Sequence, residues 1–157
     1  MPTPRGILLL LLAAPIVAAG TWAAPLQWVA LAYLIFCFAI FFLDWRLAES
    51  VRRFEVARQH DTKLNLGAEN PIRLSVVNRS RRPAVFWLRD EPPDAFEIES
   101  RLFAGEASPQ GVWRGGYHVR PLRRGDYRFG DLNLRWSGPL GLVVRQARVS
   151  AAGPVKV

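Results

Sequence analysis

Two apolar runs open the chain, and a different rhythm follows them. Residues 7–24 are apolar except for Pro15, Gly20 and Thr21, and residues 25–43 are apolar again except for Gln27, most densely in the stretch WVALAYLIFCFAIFF at 28–42. At 1.5 Å of rise per residue the first run would span about 27 Å, just short of the roughly 30 Å hydrocarbon core of a bilayer. A single helix through both runs would be far too long to cross once. The pattern therefore predicts a transmembrane hairpin over residues 1–45, with helices at about 7–24 and 26–43. Pro15 removes one helix hydrogen bond and predicts a kink, which membrane helices tolerate. Trp22, Pro25, Gln27 and Trp28 form the expected turn. Trp22 and Trp28 at that end, with Trp45 and Arg46 at the other, are the candidate membrane-interface residues, because an amphipathic ring prefers the headgroup level.

From about residue 53 the period changes from helical to alternating. Phe54, Val56 and Arg58 alternate with polar neighbours, as do residues 63–67 and 72–77. Further strands are expected at 83–89, 113–119, 127–136 and 142–149, and another begins at Val155. Gly, Pro, Asn and Asp separate them. Short strands at this spacing predict an all-β, immunoglobulin-like antiparallel sandwich over residues 46–157, with about seven strands. Residues 103–111 lack periodicity and are expected to form a mobile loop. Gly125 is expected to supply a positive φ at a tight hairpin tip made of Arg123, Arg124, Gly125 and Asp126. The strand over 127–136 changes phase at Gly130-Asp131, where a bulge is expected.

Charge follows the same division. The chain has 157 residues and a formal net charge of +8, yet residues 1–43 hold a single charged residue, Arg5. Arginine supplies nearly all the basic charge; Lys63 and Lys156 are the lysines. Arg5 precedes the first apolar run, Arg46, Arg52, Arg53 and Arg58 follow the second, and the turn between carries none. The positive-inside rule places both ends in the cytoplasm and the turn outside, so a multi-pass membrane protein with a cytoplasmic sandwich is expected. A cleaved signal peptide is the rival reading of the first run, but Pro25 directly after Ala24 is a poor cleavage position and a second apolar run follows at once. Cys37 lies within lipid-facing sequence, where a thiol is a packing residue, and a lone cysteine builds no disulfide framework. Basic charge beside a membrane attracts anionic headgroups, and it also keeps a domain soluble.

Candidate chemistry adds little to this picture. His60 and His118 have no partner at ligand spacing, so no metal or cofactor is expected. No phosphate-binding loop or nucleophile elbow is spelled anywhere. The acidic pairs Asp90/Glu91 and Glu97/Glu99 fall in or near turns and carry no catalytic assignment. Arg124-Gly125-Asp126 spells an adhesion tripeptide and Asn78-Arg79-Ser80 a glycosylation acceptor, but a cytoplasmic domain uses neither. The expectation is a protein that is not an enzyme. Nucleic acid is not expected as a partner either, since the aromatics fall at core-facing strand positions rather than on the basic surface.

One resemblance covers essentially the whole chain. Leu66-Gly67-Ala68-Glu69-Asn70, then Leu74-Ser75-Val76-Val77-Asn78-Arg79-Ser80, then Arg89-Asp90-Glu91-Pro92-Pro93, lead to RPLRRGDYRFG at 120–130 and PLGL at 139–142. Together with the apolar hairpin, this closely resembles the N-terminal half of bacterial domain-of-unknown-function-fifty-eight proteins. The resemblance implies two membrane helices, a β-sandwich, and a C-terminal region similar to a von Willebrand factor A domain that this chain does not reach, so the sandwich reads as truncated at its C-terminus. It also implies a MoxR-type AAA+ ATPase as partner, in envelope maintenance or complex maturation. The expected role is a membrane-tethered scaffold or adaptor, with the exposed tip at Arg123–Asp126 as the contact surface and the lipid bilayer as the second partner. The alternatives are a structural spacer for the missing C-terminal domain and a nucleic-acid-binding module. Client and oligomeric state have no signature in the sequence.

Overall fold

The structure, a computed structural model, describes residues 1–22 and 24–157. The chain divides into two compact units. Met1–Glu49 and Ser137–Arg145 form the first, and Ser50–Trp136 and Gln146–Val157 form the second.

The first unit holds three helices, α1 (Pro4–Leu11), α2 (Ala13–Ala19) and α3 (Ala24–Leu47). Thr3 caps α1 by accepting a hydrogen bond from the Gly6 N–H at 3.1 Å, and Pro4 occupies the first turn, where its missing N–H costs nothing. The helix expected over 7–24 is thus shorter, earlier and split. The break falls at Leu12 because Pro15, one turn later, cannot donate to the Leu11 carbonyl and its ring crowds that carbonyl. The chain then turns at Gly20-Thr21-Trp22, with the Thr21 hydroxyl donating back to the Ala18 carbonyl at 2.7 Å. The second expected helix forms and runs one turn further than the apolar run, through Asp44, Trp45 and Arg46.

The α1–α2 pair folds back along α3. The Tyr33 hydroxyl donates to the Leu9 carbonyl at 2.8 Å, and the Gln27 amide to the Gly20 carbonyl at 3.2 Å. At Gly6 a Cβ would come within 2.8 Å of the Phe41 ring, so glycine permits the close approach. Among the described residues one helix, Pro25–Leu47, is long and apolar enough to cross a membrane; Pro4–Ala19 is apolar but shorter. Most large side chains of α3, among them Trp28, Ile35, Phe38 and Phe42, are exposed.

The second unit is an all-β antiparallel sandwich. One four-stranded sheet has the order β1 (Phe54–Gln59), β2 (Asn70–Asn78), β6 (Val112–Pro121), β4 (Phe96–Ile98). The other has the order β5 (Leu102–Ala107), β3 (Ala84–Asp90), β8 (Leu132–Ser137), β9 (Val144–Val149). A two-stranded ribbon pairs β7 (Asp126–Phe129) with β10 (Gly153–Lys156). Alternation drives the packing: Ile72, Leu74 and Val76 of β2 face Phe86 and Leu88 of β3 and Leu132, Leu134 and Trp136 of β8 in one buried cluster.

Four local expectations are corrected. Residues 108–111 form the turn that leads into β6, but residues 103–107 are not a loop: they are most of β5, which pairs with β3 along its length. Its inward positions are Phe103, Gly105 and Ala107, too small on average to show periodicity, and Gly105 is small because Phe86 and Trp113 close over it. Residues 63–67 form a single bridge at Lys63 followed by a turn at Gly67, which has φ +70°, rather than a strand. The phase change at Gly130-Asp131 is not a bulge but a switch of ladder, from β7 against β10 to β8 against β3. Finally, β6 and β7 are not a hairpin. Their intervening residues connect one ladder to another, so Gly125 needs no positive φ and has none.

Candidate functional site

In the first unit the feature that organises the end of α3 is a buried carboxylate. Asp44 is fully buried, and its two oxygens accept three backbone N–H groups, from Leu140, Leu142 and Val143, each at 2.8 Å. The loop that donates them is a tight turn. Gly141 N–H donates to the Gly138 carbonyl at 3.0 Å, with Pro139 at the position whose φ a turn needs and Gly141 at φ +69°. Gly138 N–H closes the base of the loop on the Val143 carbonyl at 2.8 Å. A Cβ at Gly138 would collide with the Asp44 carboxylate. Thr3 ties in as well: its hydroxyl donates to the Gly141 carbonyl at 2.7 Å and its N–H to the Leu142 carbonyl at 2.9 Å. A carboxylate satisfied by three amides is a charge-assisted clasp, and it fixes the PLGL segment to the last turns of the apolar helix.

Around this clasp lie two of the expected interface residues. Trp45 packs against Phe42 with ring centroids 6.1 Å apart, and the Arg145 guanidinium lies 5.7 Å from the Trp45 ring centroid. Arg145 also donates to the Ala48 carbonyl at 3.0 Å. Arg46 is exposed in the last turn of α3, where a cation complements the helix dipole. Trp22 and Trp28 are exposed at the opposite end of the helix. From Trp28 to Trp45 is about 26 Å along the axis, against a bilayer hydrocarbon core of roughly 30 Å.

In the second unit the buried polar centre is Arg58–Asp90–Tyr117. The Arg58 and Asp90 side chains are 1% and 0% exposed and form an ion pair, and the Tyr117 hydroxyl donates to the other Asp90 oxygen at 2.8 Å. Arg58 also donates to the carbonyls of Gly130 and Ala151 and lies 4.4 Å from the Phe129 ring centroid. Burial, and after it the negative charge of Asp90, push the Tyr117 hydroxyl well above its ordinary pKa. The network links β1 and β6 of one sheet to β3 of the other. It is closed to solvent and every side chain in it is satisfied, so it clamps the two sheets together in the core.

The candidate contact residues Arg123, Arg124, Gly125 and Asp126 are all exposed. They are held by the C-terminal strand: Val157 N–H donates to the Gly125 carbonyl at 3.0 Å, and Lys156 sits 3.6 Å from Asp126. The Tyr127 hydroxyl donates to the Arg123 carbonyl at 3.1 Å. The segment is therefore a pinned, cation-bearing crossover.

Neither the Asp44 clasp nor the Arg58–Asp90–Tyr117 network was anticipated from the sequence. Asp44 carried one signal, an acidic residue at the end of an apolar helix. Among the described residues no group of three His, Cys, Asp or Glu is placed to hold a metal ion.

No family model and no curated relative matches the chain. Solved structures match the chain at low identity. The CARDB domain of a Pyrococcus furiosus protein is 14% identical, with a TM-score of 0.41, covering 62% of this chain and 86% of that one. A FixG-related protein from Vibrio parahaemolyticus is 10% identical at a TM-score of 0.41, covering 66% and 95%. SSP-19 of Caenorhabditis elegans, an MSP-domain-like protein, is 12% identical at 0.41, covering 59% and 91%.

Proposed function

We propose that the chain is a membrane-anchored, non-enzymatic scaffold that presents a basic, immunoglobulin-like sandwich in the cytoplasm, at the bacterial inner membrane. The observation that carries this reading is the Asp44 clasp at the end of an exposed 23-residue apolar helix. A helix with so much apolar surface in water would be a strong association hazard, and a bilayer removes that cost. The clasp then sets where lipid-facing sequence stops. In this reading α1–α2 is the second arm of a hairpin, so both ends of the chain lie on the cytoplasmic side, with Arg5 and Arg46 obeying the positive-inside rule.

The partner follows from the family resemblance and from charge. Arg123 and Arg124 are exposed on a pinned segment, which suits an acidic protein surface such as one on a MoxR-type AAA+ ATPase. The test is affinity capture of the tagged full-length chain from native membranes in mild detergent. Co-purification of the ATPase supports the scaffold. Its absence, under conditions where the chain itself is recovered folded, sinks that partnership. A cysteine introduced in the sandwich should resist an impermeant thiol reagent in intact cells, and rapid labelling there would overturn the orientation.

A further inference from the structure

The first unit carries a groove that the anchor role does not use. Leu10, Phe38, Phe41, Phe42, Trp45 and Val143 line an open, apolar depression of about 380 Å³. That is within the range of small-molecule sites, about 300–1,000 Å³. Four of those side chains come from α3 and fall at i, i+3, i+4 and i+7 from Phe38, so they share one helical face. The next position on the same stripe, four residues after Phe42, is Arg46. Arg46 is exposed and has no carboxylate partner among the described residues. Arg145 stands over the Trp45 ring at the same end. The depression itself is apolar, and Arg46 and Arg145 lie beside its lining residue Trp45, at the end where α3 stops.

We propose that this groove holds one acyl chain of an anionic phospholipid, with the phosphate facing Arg46 and Arg145. The proposal rests on the membrane-anchored reading, because only a bilayer delivers such a ligand to a helix face. Charge complementarity selects the occupant. A second copy of the chain would bring a like-charged rim to Arg46, and a neutral lipid would leave the two cations without a counter-charge. The aromatic walls suit a flexible hydrocarbon chain, which needs shape but no hydrogen bonds.

The experiment uses the full chain with defined lipids. Flotation with phosphatidylcholine vesicles containing phosphatidylglycerol comes first, and failure to float removes the anchor reading itself. With floating established, native mass spectrometry from micelles doped with equal phosphatidylglycerol and phosphatidylcholine reads the groove. The expected result is one retained phosphatidylglycerol per chain. Arg46→Gln should reduce that retention about fivefold, since each basic residue near an anionic surface adds a modest increment. Leu10→Trp should fill the groove and abolish retention while the chain still floats. A floating chain that retains no lipid, retains both lipids equally, or retains phosphatidylglycerol undiminished in both variants overturns the proposal. So does a dimer with no bound lipid.

Discussion

Asp44 and Leu140 are 96 positions apart in the chain, and the Asp44 carboxylate accepts the Leu140 amide at 2.8 Å. Two more amides of the same loop converge on the other oxygen. Removing the acceptor leaves three N–H groups to find new partners in a buried site. Asp44→Ala should therefore destabilise the first unit by about 2–4 kcal/mol, at roughly 1–3 kcal/mol per orphaned group with partial relief by water. Asp44→Asn should be nearly as harmful, because its NH₂ would point at backbone donors. Thermal unfolding of the detergent-solubilised chain measures this, and an Asp44→Asn variant with unchanged midpoint would sink the clasp.

Gly138 is part of the same device. A Cβ there occupies the position of the Asp44 carboxylate, so Gly138→Ala should displace the carboxylate and cost about as much as Asp44→Ala alone. The two losses should not add. A double-mutant cycle is expected to give a coupling of about 1–3 kcal/mol, as for residues in direct contact. Strict additivity would show that the glycine matters for its backbone and not for the acid.

The Arg58–Asp90 pair should respond asymmetrically. Arg58→Met leaves the Asp90 charge buried beside Tyr117 and should cost about 3–5 kcal/mol. Arg58→Met combined with Asp90→Leu should recover much of that, because a well-packed apolar pair replaces a buried ion pair at little net cost. Tyr117 adds an alkaline limit. Its pKa is raised in the folded state, so the stability it contributes is fully present below the unfolded value near 10 and is lost as pH rises through the folded value. Urea unfolding at pH 8 and pH 11 should show a fall in the parent chain that Tyr117→Phe lessens.

These residues also show what the chain's pattern does and does not reveal. The apolar helix and the sandwich were legible because each is a repeat: unbroken hydrophobicity over residues 28–43, and alternation at 72–76 and 84–88. The strand β5 was not, because its inward residues include Gly105, chosen for the space Trp113 and Phe86 need rather than for hydrophobicity. The split at Leu12 was half legible, since Pro15 announced a defect without its position. The clasp was not legible at all. It joins Asp44, at the end of an apolar helix, to the PLGL segment, and nothing in a linear pattern pairs positions so far apart. Arg58 and Asp90 were hidden for the same reason, one looking like an ordinary polar member of a strand and the other like part of a turn.

Acid should loosen the join between β8 and the C-terminal segment. Asp131 accepts N–H bonds from Ala151 and Ala152 at 3.2 Å and from Arg148 at 2.7 Å. The Ala151 amide is the main reason its carboxyl lies below the usual range, with Arg148 adding to it. A depressed folded value means that this stabilisation is present above the unfolded value near 3.9 and is lost as pH falls through the folded one. Between pH 6 and pH 2.5 the parent chain should lose more stability than Asp131→Asn does. Equal losses would show that this carboxylate is not linked to folding.

Arg123 and Arg124 provide the sharpest test of whether the sandwich contacts a partner or only separates the bilayer from something else. Both are exposed, and neither side chain takes part in an ion pair among the described residues. Their replacement should leave folding unchanged, within the roughly ±0.5 kcal/mol of ordinary surface substitutions. The backbone of the segment stays pinned by Val157 and by the Tyr127 hydroxyl, neither of which depends on the arginine side chains. If the segment meets an acidic surface, Arg123→Ala with Arg124→Ala should weaken capture of the ATPase by about tenfold or more and flatten its dependence on salt, because charges at an interface rim act through long-range attraction. Charge reversal to glutamate should weaken it further. Undiminished capture by a variant of unchanged stability would remove this segment as the contact surface, and with it the main support that charge lends to the scaffold over the spacer.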